Sequence, residues 1–255
     1  MSVSDNFFDY FEGLTSISAV IRSIKDQKSD RRIVKILYDP SKADKRYREL
    51  KFLSHASEQL DFELVEADGD EIDALTSGTT HGGFVAICSK RTLPHLNVNF
   101  LTNSDFFVLI DGLEDPYNFG YSVRSLYAAG VDGIILPERN WLEFSSTVAR
   151  SSAGTSELAN IYISDPIEAV KLFKNNGFDI VCAEIRDSVS LYNHDFKKPV
   201  LLVVGGEKRG ISRKILELAD ANVRIEYGRE FMGSLPSASA ISVLAFEILR
   251  QRTKQ

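Results

Sequence analysis

The chain has 255 residues, of which 44% are hydrophobic and 26% charged, and a formal net charge of −6. This balance predicts a globular protein with one large or two small domains and excludes a largely disordered chain. The first residues lack the basic and apolar runs of a signal peptide and no segment is long enough to span a membrane, so we expect a cytoplasmic protein without membrane contact.

The N-terminal part of the chain alternates helix and strand patterns. We predict helices at 6–25, from 41 onward and at 70–75, and strands at 32–38, 62–66 and 83–88. The helix that begins at Ser41 should turn Tyr47, Leu50 and Leu53 toward the core. This alternation predicts a small α/β domain over residues 1–92.

Charge is distributed unevenly within this domain. Between Arg22 and Lys51, Lys and Arg exceed Asp and Glu by six, whereas residues 52–75 contain eight acids and neither Lys nor Arg. Such asymmetry suggests contact with a polyanion, although a solvated helix with ordinary charge pairs explains the same pattern. The candidate residues for contact with RNA are Arg31, Arg32, Lys45 and Arg46.

Residues 93–105 have no clear hydrophobic period and are typical of a linker. The second domain, 106–255, alternates predicted strands and helices. The strands are expected at 106–110, 133–136, 159–163, 179–183, 199–204 and 222–227, and the helices at 120–129, 145–150, 166–176, 211–218 and from about 234 to 250. This pattern predicts a parallel sheet with helices on both faces.

The loop after the first of these strands carries candidate functional residues. Asn118 can begin the next helix, and Gly120 allows close approach of a ligand or backbone. Arg124 lies one turn further in, where a cation does not favour the helix dipole, which indicates another role. An ion pair between Arg124 and Glu114 or Asp115 is the structural alternative.

Two glycine-containing loops follow the last two predicted strands. The loop Gly205–Gly210 has the glycine spacing of a phosphate-binding P-loop, but Ile211 stands in place of its Lys, which excludes hydrolysis of a nucleoside triphosphate. A tight turn that exposes Glu207 explains the same spacing. The second loop leads into Ser234–Ala240, which opens the last helix with serine as N-cap. Two such loops predict a pocket with free backbone N–H groups.

The cysteines and histidines give no sign of a metal site or a disulfide. Cys88 and Cys182, the only cysteines, lie in apolar, strand-like contexts that are typical of buried thiols. The four histidines are scattered without metal-ligand spacing. We therefore expect no bound metal.

Three ordered motifs resemble those of the SpoU, or TrmH-like, RNA ribose methyltransferases of the SPOUT superfamily. They are Asn118-Phe-Gly120 with Arg124, Gly205-Gly-Glu207 with Gly210, and Ser234-Leu235 before a helix that ends in Arg250-Gln-Arg252. The resemblance extends from about residue 106 to 252. The first domain, ending in His81-Gly82-Gly83, is more loosely similar to the family's small ribosomal-protein-like substrate-binding domain.

The resemblance implies an α/β fold with a C-terminal trefoil knot, a homodimer with its sites at the subunit interface, and S-adenosylmethionine-dependent methylation of a ribose 2′-hydroxyl in structured rRNA or tRNA. Backbone groups around Gly205, Ile225 and Leu235 would hold the cofactor. The candidate catalytic residues are Arg124, Asn118 and Glu207. A guanidinium is a poor base, so we expect Arg124 to grip a phosphate and polarise the hydroxyl.

The third motif departs from the family pattern. The family usually has Ser-Leu-Asn-Val-Ser where this chain has Ser234-Leu235-Pro236-Ser237-Ala238, and proline offers neither a side-chain amide nor a backbone N–H. Ser237 or Ser239 is a candidate for a substitute hydroxyl. An RNA-binding protein with a methyltransferase fold and lost or altered catalysis is the alternative function.

Overall fold

The computed structural model describes residues 7–76, 80–138, 144–206 and 209–253. The chain forms two compact units, one made of Met1–Thr92 with Asn140–Leu158 and the other of Leu93–Arg139 with Ala159–Gln255. The expected division was contiguous, whereas in the structure the segment 140–158 leaves the second unit and joins the first. Across the described ranges, no helix is both long and apolar enough to cross a membrane.

The strands are β1 (Phe8–Glu12), β2 (Ile33–Tyr38), β3 (Glu63–Glu66), β4 (Phe84–Ser89), β5 (Phe106–Asp111), β6 (Gly133–Leu136), β7 (Ile161–Ile163), β8 (Asp179–Ala183), β9 (Val189–Ser190), β10 (Val200–Gly205) and β11 (Ala221–Arg224). The helices are α1 (Gly13–Lys25), α2 (Tyr47–Leu60), α3 (Gly69–Leu75), α4 (Pro116–Ala128), α5 (Ser145–Ser151), α6 (Thr155–Leu158), α7 (Pro166–Asn175), α8 (Arg213–Leu216) and α9 (Ser237–Arg252).

The first unit contains a four-stranded sheet in the order β1-β4-β2-β3. β4 pairs antiparallel with both β1 and β2, and β2 pairs parallel with β3. The prediction of one helix over 6–25 is wrong, because Phe8–Glu12 forms β1 along β4 and α1 begins only at Gly13. Gly13 makes the change of direction with φ of +76°, a conformation that favours glycine.

The expected helix from Ser41 is also wrong in its first turns. Two short 3₁₀ turns precede α2, and the first is capped by the Asp39 carboxylate, which accepts the Ser41 N–H at 2.9 Å. α2 therefore begins at Tyr47, whose side chain is 68% exposed instead of lying in the core. Leu53 is fully buried and Leu50 packs beside it, as predicted.

A buried charge cluster joins the segment 140–158 to the rest of the first unit. The Arg31 side chain is 0% exposed, and its Nε lies 2.9 Å from Oε2 of Glu157. Its Nη1 contacts Asp9 and donates to the Ser89 carbonyl at 2.7 Å. Arg31 is therefore not available to RNA, and the prediction for this residue is wrong: its charge is consumed by two buried carboxylates.

The second unit is built on a seven-stranded parallel sheet in the order β7-β6-β5-β10-β8-β11-β9. On one face Phe107 and Leu109 of β5 join a core cluster with Phe173 of α7 and Ile215 of α8. The alternate residue Val108 points to the opposite face and is equally buried, so both faces are covered. The predicted α/β class, with a parallel sheet preceded by a small α/β domain, is confirmed.

The Arg31 cluster generates a stability prediction. Replacing Arg31 with Ala leaves Asp9 and Glu157 as unpaired buried carboxylates, so we expect the free energy of unfolding to fall by roughly 3–5 kcal/mol. Arg32→Ala is the matched control, because its neighbouring side chain is exposed and should change stability by less than about 0.5 kcal/mol. Urea unfolding of both variants measures the difference, and equal stabilities would contradict the role given to Arg31.

The same cluster should show in the pH dependence of stability. Burial by itself raises the pKa of Glu157, but Arg91 and Arg31 hold that pKa below its ordinary value of 4.5. A lowered folded-state pKa means that ionised Glu157 stabilises the protein above about pH 4.5 and that this contribution is lost as the pH falls through the folded-state value. Glu157→Gln should therefore lose less stability than the natural protein on acidification from pH 5 to pH 3.

Candidate functional site

Two neighbouring strands of the second unit end side by side, and the loops that follow touch through backbone atoms. In the parallel pair of β5 and β10, Asp111 lies opposite Gly205. The next residues, Gly112 and Gly206, are so close that a Cβ on Gly206 would lie 2.0 Å from the Gly112 carbonyl oxygen. Gly112 has φ of +93°. No side chain fits at Gly206, so the edge of the sheet exposes peptide groups here.

The loop after β10 folds back on itself. A Cβ on Gly205 would lie 2.4 Å from the carbonyl carbon of Gly210, and the Gly210 N–H donates to the Gly206 carbonyl at 3.0 Å. Glu207, a candidate catalytic residue, lies outside the described residues. The glycine spacing therefore serves a tight, backbone-packed loop at the carboxyl end of β10.

Helix α4 begins earlier than the sequence suggested. Asp115 is its N-cap and accepts the Asn118 N–H at 2.7 Å, with Pro116 in the first turn. Asn118 therefore lies inside the first turn, where its carbonyl accepts the Ser122 hydroxyl at 2.7 Å. The prediction that Asn118 begins the helix is wrong because a carboxylate three residues earlier caps it. The Asp-Pro pair was a readable signal for this start.

Arg124 projects from α4 as an exposed side chain. Among residues 7–76, 80–138, 144–206 and 209–253, no ion pair joins Arg124 to Glu114 or Asp115. The alternative of a structural ion pair at these two carboxylates therefore finds no support. An exposed guanidinium is accessible to an anionic ligand.

The last helix begins at Ser237 and not with a serine cap. Pro236 occupies the N-cap position, and its carbonyl accepts the N–H groups of Ser239 at 2.9 Å and Ala240 at 3.0 Å. No side chain caps this helix. The serine N-cap prediction is wrong because the fixed proline backbone sets the entry to the helix. Ser237 is buried, whereas Ser239 is exposed.

Helices α4 and α9 are held together by a hydroxyl pair that the sequence did not reveal. The Ser242 and Ser125 hydroxyl oxygens lie 2.6 Å apart, and the Ser242 hydroxyl also lies 2.7 Å from the Ala238 carbonyl. Ser125 directly follows Arg124. This contact therefore brings the helix of the first motif against the helix of the third.

The loop between β11 and α9 contains the other two cofactor-binding candidates. β11 ends at Arg224, so Ile225 lies in the loop and not in a strand, where it is half-buried. Leu235 is also half-buried, and its N–H donates to the Tyr227 hydroxyl at 3.2 Å. Tyr227, whose ring packs edge-on against Phe231 at 5.7 Å between centroids, was missed by the sequence analysis. It fixes the backbone before Leu235.

The remaining RNA-binding candidates lie in the first unit. Arg32, Lys45 and Arg46 are exposed. Arg46 pairs with Glu49 at 2.9 Å, which leaves part of its guanidinium accessible. These three residues satisfy the accessibility that Arg31 lacks.

Two family models match the chain. Residues 105–246 match a model described as the SpoU rRNA Methylase family. Residues 10–94 match a model described as RNA 2′-O ribose methyltransferase substrate binding. Together the matches include every motif discussed above except the last turn of α9.

Curated relatives agree in kind. A protein of Burkholderia sp, named 23S rRNA (guanosine-2′-O-)-methyltransferase RlmB, is 28% identical over 224 residues, which cover 86% of this chain and 89% of that protein. A protein of Staphylococcus saprophyticus, whose name places it in the TrmH family of tRNA/rRNA methyltransferases, is 32% identical over 146 residues, covering 57% of this chain and 58% of that protein. The chain thus spans less than two thirds of the length of this latter relative.

Solved structures show the same fold. An rRNA methyltransferase from Sinorhizobium meliloti superposes with a TM-score of 0.78 at 22% identity, over 98% of this chain and 90% of that one. A crystal structure of an rRNA methyltransferase from the same organism contains AdoMet and gives a TM-score of 0.78 at 23% identity, over 98% and 90% of the two chains. The TrmH/SpoU tRNA modifying enzyme of A. aeolicus gives a TM-score of 0.52 at 28% identity, over 59% and 76%.

The glycine contact generates the second prediction. Gly206→Ala places a methyl group against the Gly112 carbonyl, so the loops must separate and we expect a loss of about 2–4 kcal/mol in unfolding free energy. Gly228→Ala is the matched control, since nothing lies within 4 Å of a Cβ at this position. Thermal unfolding should separate the two variants clearly. Similar melting temperatures would show that the loops are not packed as described.

Proposed function

This chain belongs to the SpoU rRNA Methylase family, and on that premise we propose that it transfers a methyl group from S-adenosylmethionine to a ribose 2′-hydroxyl of structured rRNA or tRNA. The observation that carries the proposal is the backbone contact between Gly112 and Gly206. This contact holds the loops of the first two motifs at one edge of a parallel sheet, where open α/β sheets bind ligands.

The residues at this edge fit the proposed cofactor. Adenosine carries no charge, so it is suited to peptide groups and half-buried apolar side chains and needs no phosphate-binding Lys. Gly205, Ile225 and Leu235 supply such groups from two loops, and Tyr227 already engages the Leu235 N–H. When bound, S-adenosylmethionine supplies the activated methyl group. The protein must position the ribose oxygen in line with that methyl group and assist loss of its proton.

Arg124 is the residue we propose for positioning the RNA. Its guanidinium is exposed on α4 and carries a fixed positive charge, which suits bidentate contact with a phosphate beside the target ribose. The same charge polarises the 2′-hydroxyl and stabilises the developing oxyanion. Asn118 and Glu207 remain proposed catalytic partners, Asn118 from the first turn of the same helix.

We also propose a homodimer in which Arg124 serves the cofactor of the partner. Tyr117 and Tyr121 lie four residues apart on α4 and are both exposed, as is Phe246 on α9, the helix that packs against α4. Large exposed aromatic side chains on adjacent helices are typical of subunit interfaces. A trefoil knot in the C-terminal part and a cytoplasmic location complete the proposal, the latter supported by two buried free cysteines.

The first unit is the proposed RNA-binding part, with Arg32, Lys45 and Arg46 contacting phosphates. Their exposure supports this role, as does the match of residues 10–94 to the substrate-binding family model. Phosphate contacts fix position and much of the affinity for RNA without reading sequence.

The proposed role of Arg124 predicts a selective loss of activity. Arg124→Ala should reduce methyl transfer to unmodified rRNA and tRNA by roughly a hundredfold or more, because a charged group positioned in the transition state is removed. Cofactor affinity, measured by calorimetry, and melting temperature should stay close to those of the natural protein. The assay follows the transfer of labelled methyl groups from S-adenosylmethionine.

Arg213→Ala is the matched control for Arg124. Arg213 is 91% exposed in the second unit and pairs with Glu217 on the surface, so its removal should leave methyl transfer unchanged. Loss of folding in Arg124→Ala, or equal activity in both variants, would contradict the proposed role.

The serines at the start of α9 decide how the third motif works. If a hydroxyl replaces the missing Asn, the exposed Ser239 is the accessible one, and Ser239→Ala should reduce turnover by roughly one to three orders of magnitude. The buried Ser237→Ala should mainly lower stability. A large gain in ribose methylation from Pro236→Asn would instead identify the natural protein as a weakened catalyst and favour the RNA-binding alternative.

A further inference from the structure

The first unit contains a cavity of about 350 Å³ that the proposed methyl-transfer site does not use. It is lined by the first turn of α1, by the loop before β4, and by side chains that include Arg46 and Arg150. All of its lining residues belong to the first unit. Its volume is at the lower end of the range for small-ligand pockets, which suits a single compact ligand.

The wall of the cavity is positively charged. Arg46 lies against the loop, with Nη2 3.5 Å from the position of a Cβ on Gly82. Arg150 pairs with the Glu12 carboxylate at 2.7 Å, so the only carboxylate among the lining residues is already neutralised. The first turn of α1 carries no acidic residue and no side-chain cap. Its N–H groups and Arg46 together favour an anion.

The loop on the other wall is held rigid by His81. The Gly83 N–H donates to Nδ1 of His81 at 3.1 Å, which places the ring proton on Nε2, and Nε2 then donates to Asp73 at 2.6 Å. The side chain is 3% exposed. The His81-Gly82-Gly83 motif therefore shapes the cavity and does not contact a ligand through the imidazole.

A second polar group on the wall indicates more than a bare phosphate. Oε2 of Glu12 is buried and accepts no hydrogen bond from the described residues. A buried acceptor of this kind needs a donor. A nucleotide offers such donors in its ribose hydroxyls and base amino groups as well as the anion that the arginine wall favours.

We propose that this cavity receives one nucleotide of the RNA, with its phosphate at Arg46 and the first turn of α1. The inference rests on the proposed function for the identity of the ligand class, and it adds a specific nucleotide-receiving site to the general basic surface. Because the cavity lies wholly in the first unit, its occupation can be measured independently of the cofactor.

Two probes test the proposal on the full chain. Adenosine 5′-monophosphate, followed by NMR, should shift the amide signals of Thr15, Ser16 and Gly82, and Arg46→Ala should remove these shifts. A labelled mixed-sequence decaribonucleotide, followed by fluorescence anisotropy, should bind Arg46→Ala roughly tenfold more weakly, with the slope of log affinity against log salt reduced by about one.

Arg22→Ala is the matched control, because Arg22 is an exposed arginine in the last turn of α1, at the end opposite the cavity. It should change RNA affinity less than twofold, and both variants should keep the natural melting temperature. Equal effects of the two substitutions, or nucleotide shifts that avoid the cavity, would overturn the proposal. Failure of S-adenosylmethionine to bind in calorimetry would overturn the proposed function alone, because the two nucleotide probes need no cofactor.

Discussion

The contact of Gly112 with Gly206 is the constraint on which the site in the second unit depends. Two parallel strands end at the same level, and the chain can leave both ends only if neither following residue has a side chain. The consequence is an edge of exposed peptide groups beside the first turn of α4. Recognition by backbone suits an uncharged, extended cofactor better than a phosphate, and it explains why Ile211 stands where a P-loop needs Lys.

The rest of the site is arranged around this edge by short polar contacts. Asp115 fixes the start of α4, and Ser125 with Ser242 fixes α4 against α9. Tyr227 holds the backbone at Leu235. None of these contacts reaches Arg124, which stays exposed and available. The chain thus separates the residues that build the site from the one that we propose grips the RNA.

The sequence predicted the second unit well because its strands are continuous apolar runs, which leave little choice of structure once both faces are buried. It predicted the first unit less well. Phe8–Glu12 belongs to a strand only because β4, more than seventy residues later, pairs with it. Arg31 looked like a surface cation because its partner Glu157 lies 126 residues away, in a segment that the sequence assigned to the other domain. Contacts of that range leave no local periodicity, whereas the Asp115-Pro116 cap did leave a signal.

The account makes one central claim, that methyl transfer ends on a ribose oxygen. The most direct measurement incubates the protein with rRNA and tRNA that lack the modification, together with methyl-labelled S-adenosylmethionine, and identifies the labelled nucleoside by mass spectrometry after complete digestion. The expected result is label in a 2′-O-methylribonucleoside at a defined position of one RNA. Label on a base, or RNA that is bound and remains unlabelled, would contradict the claim.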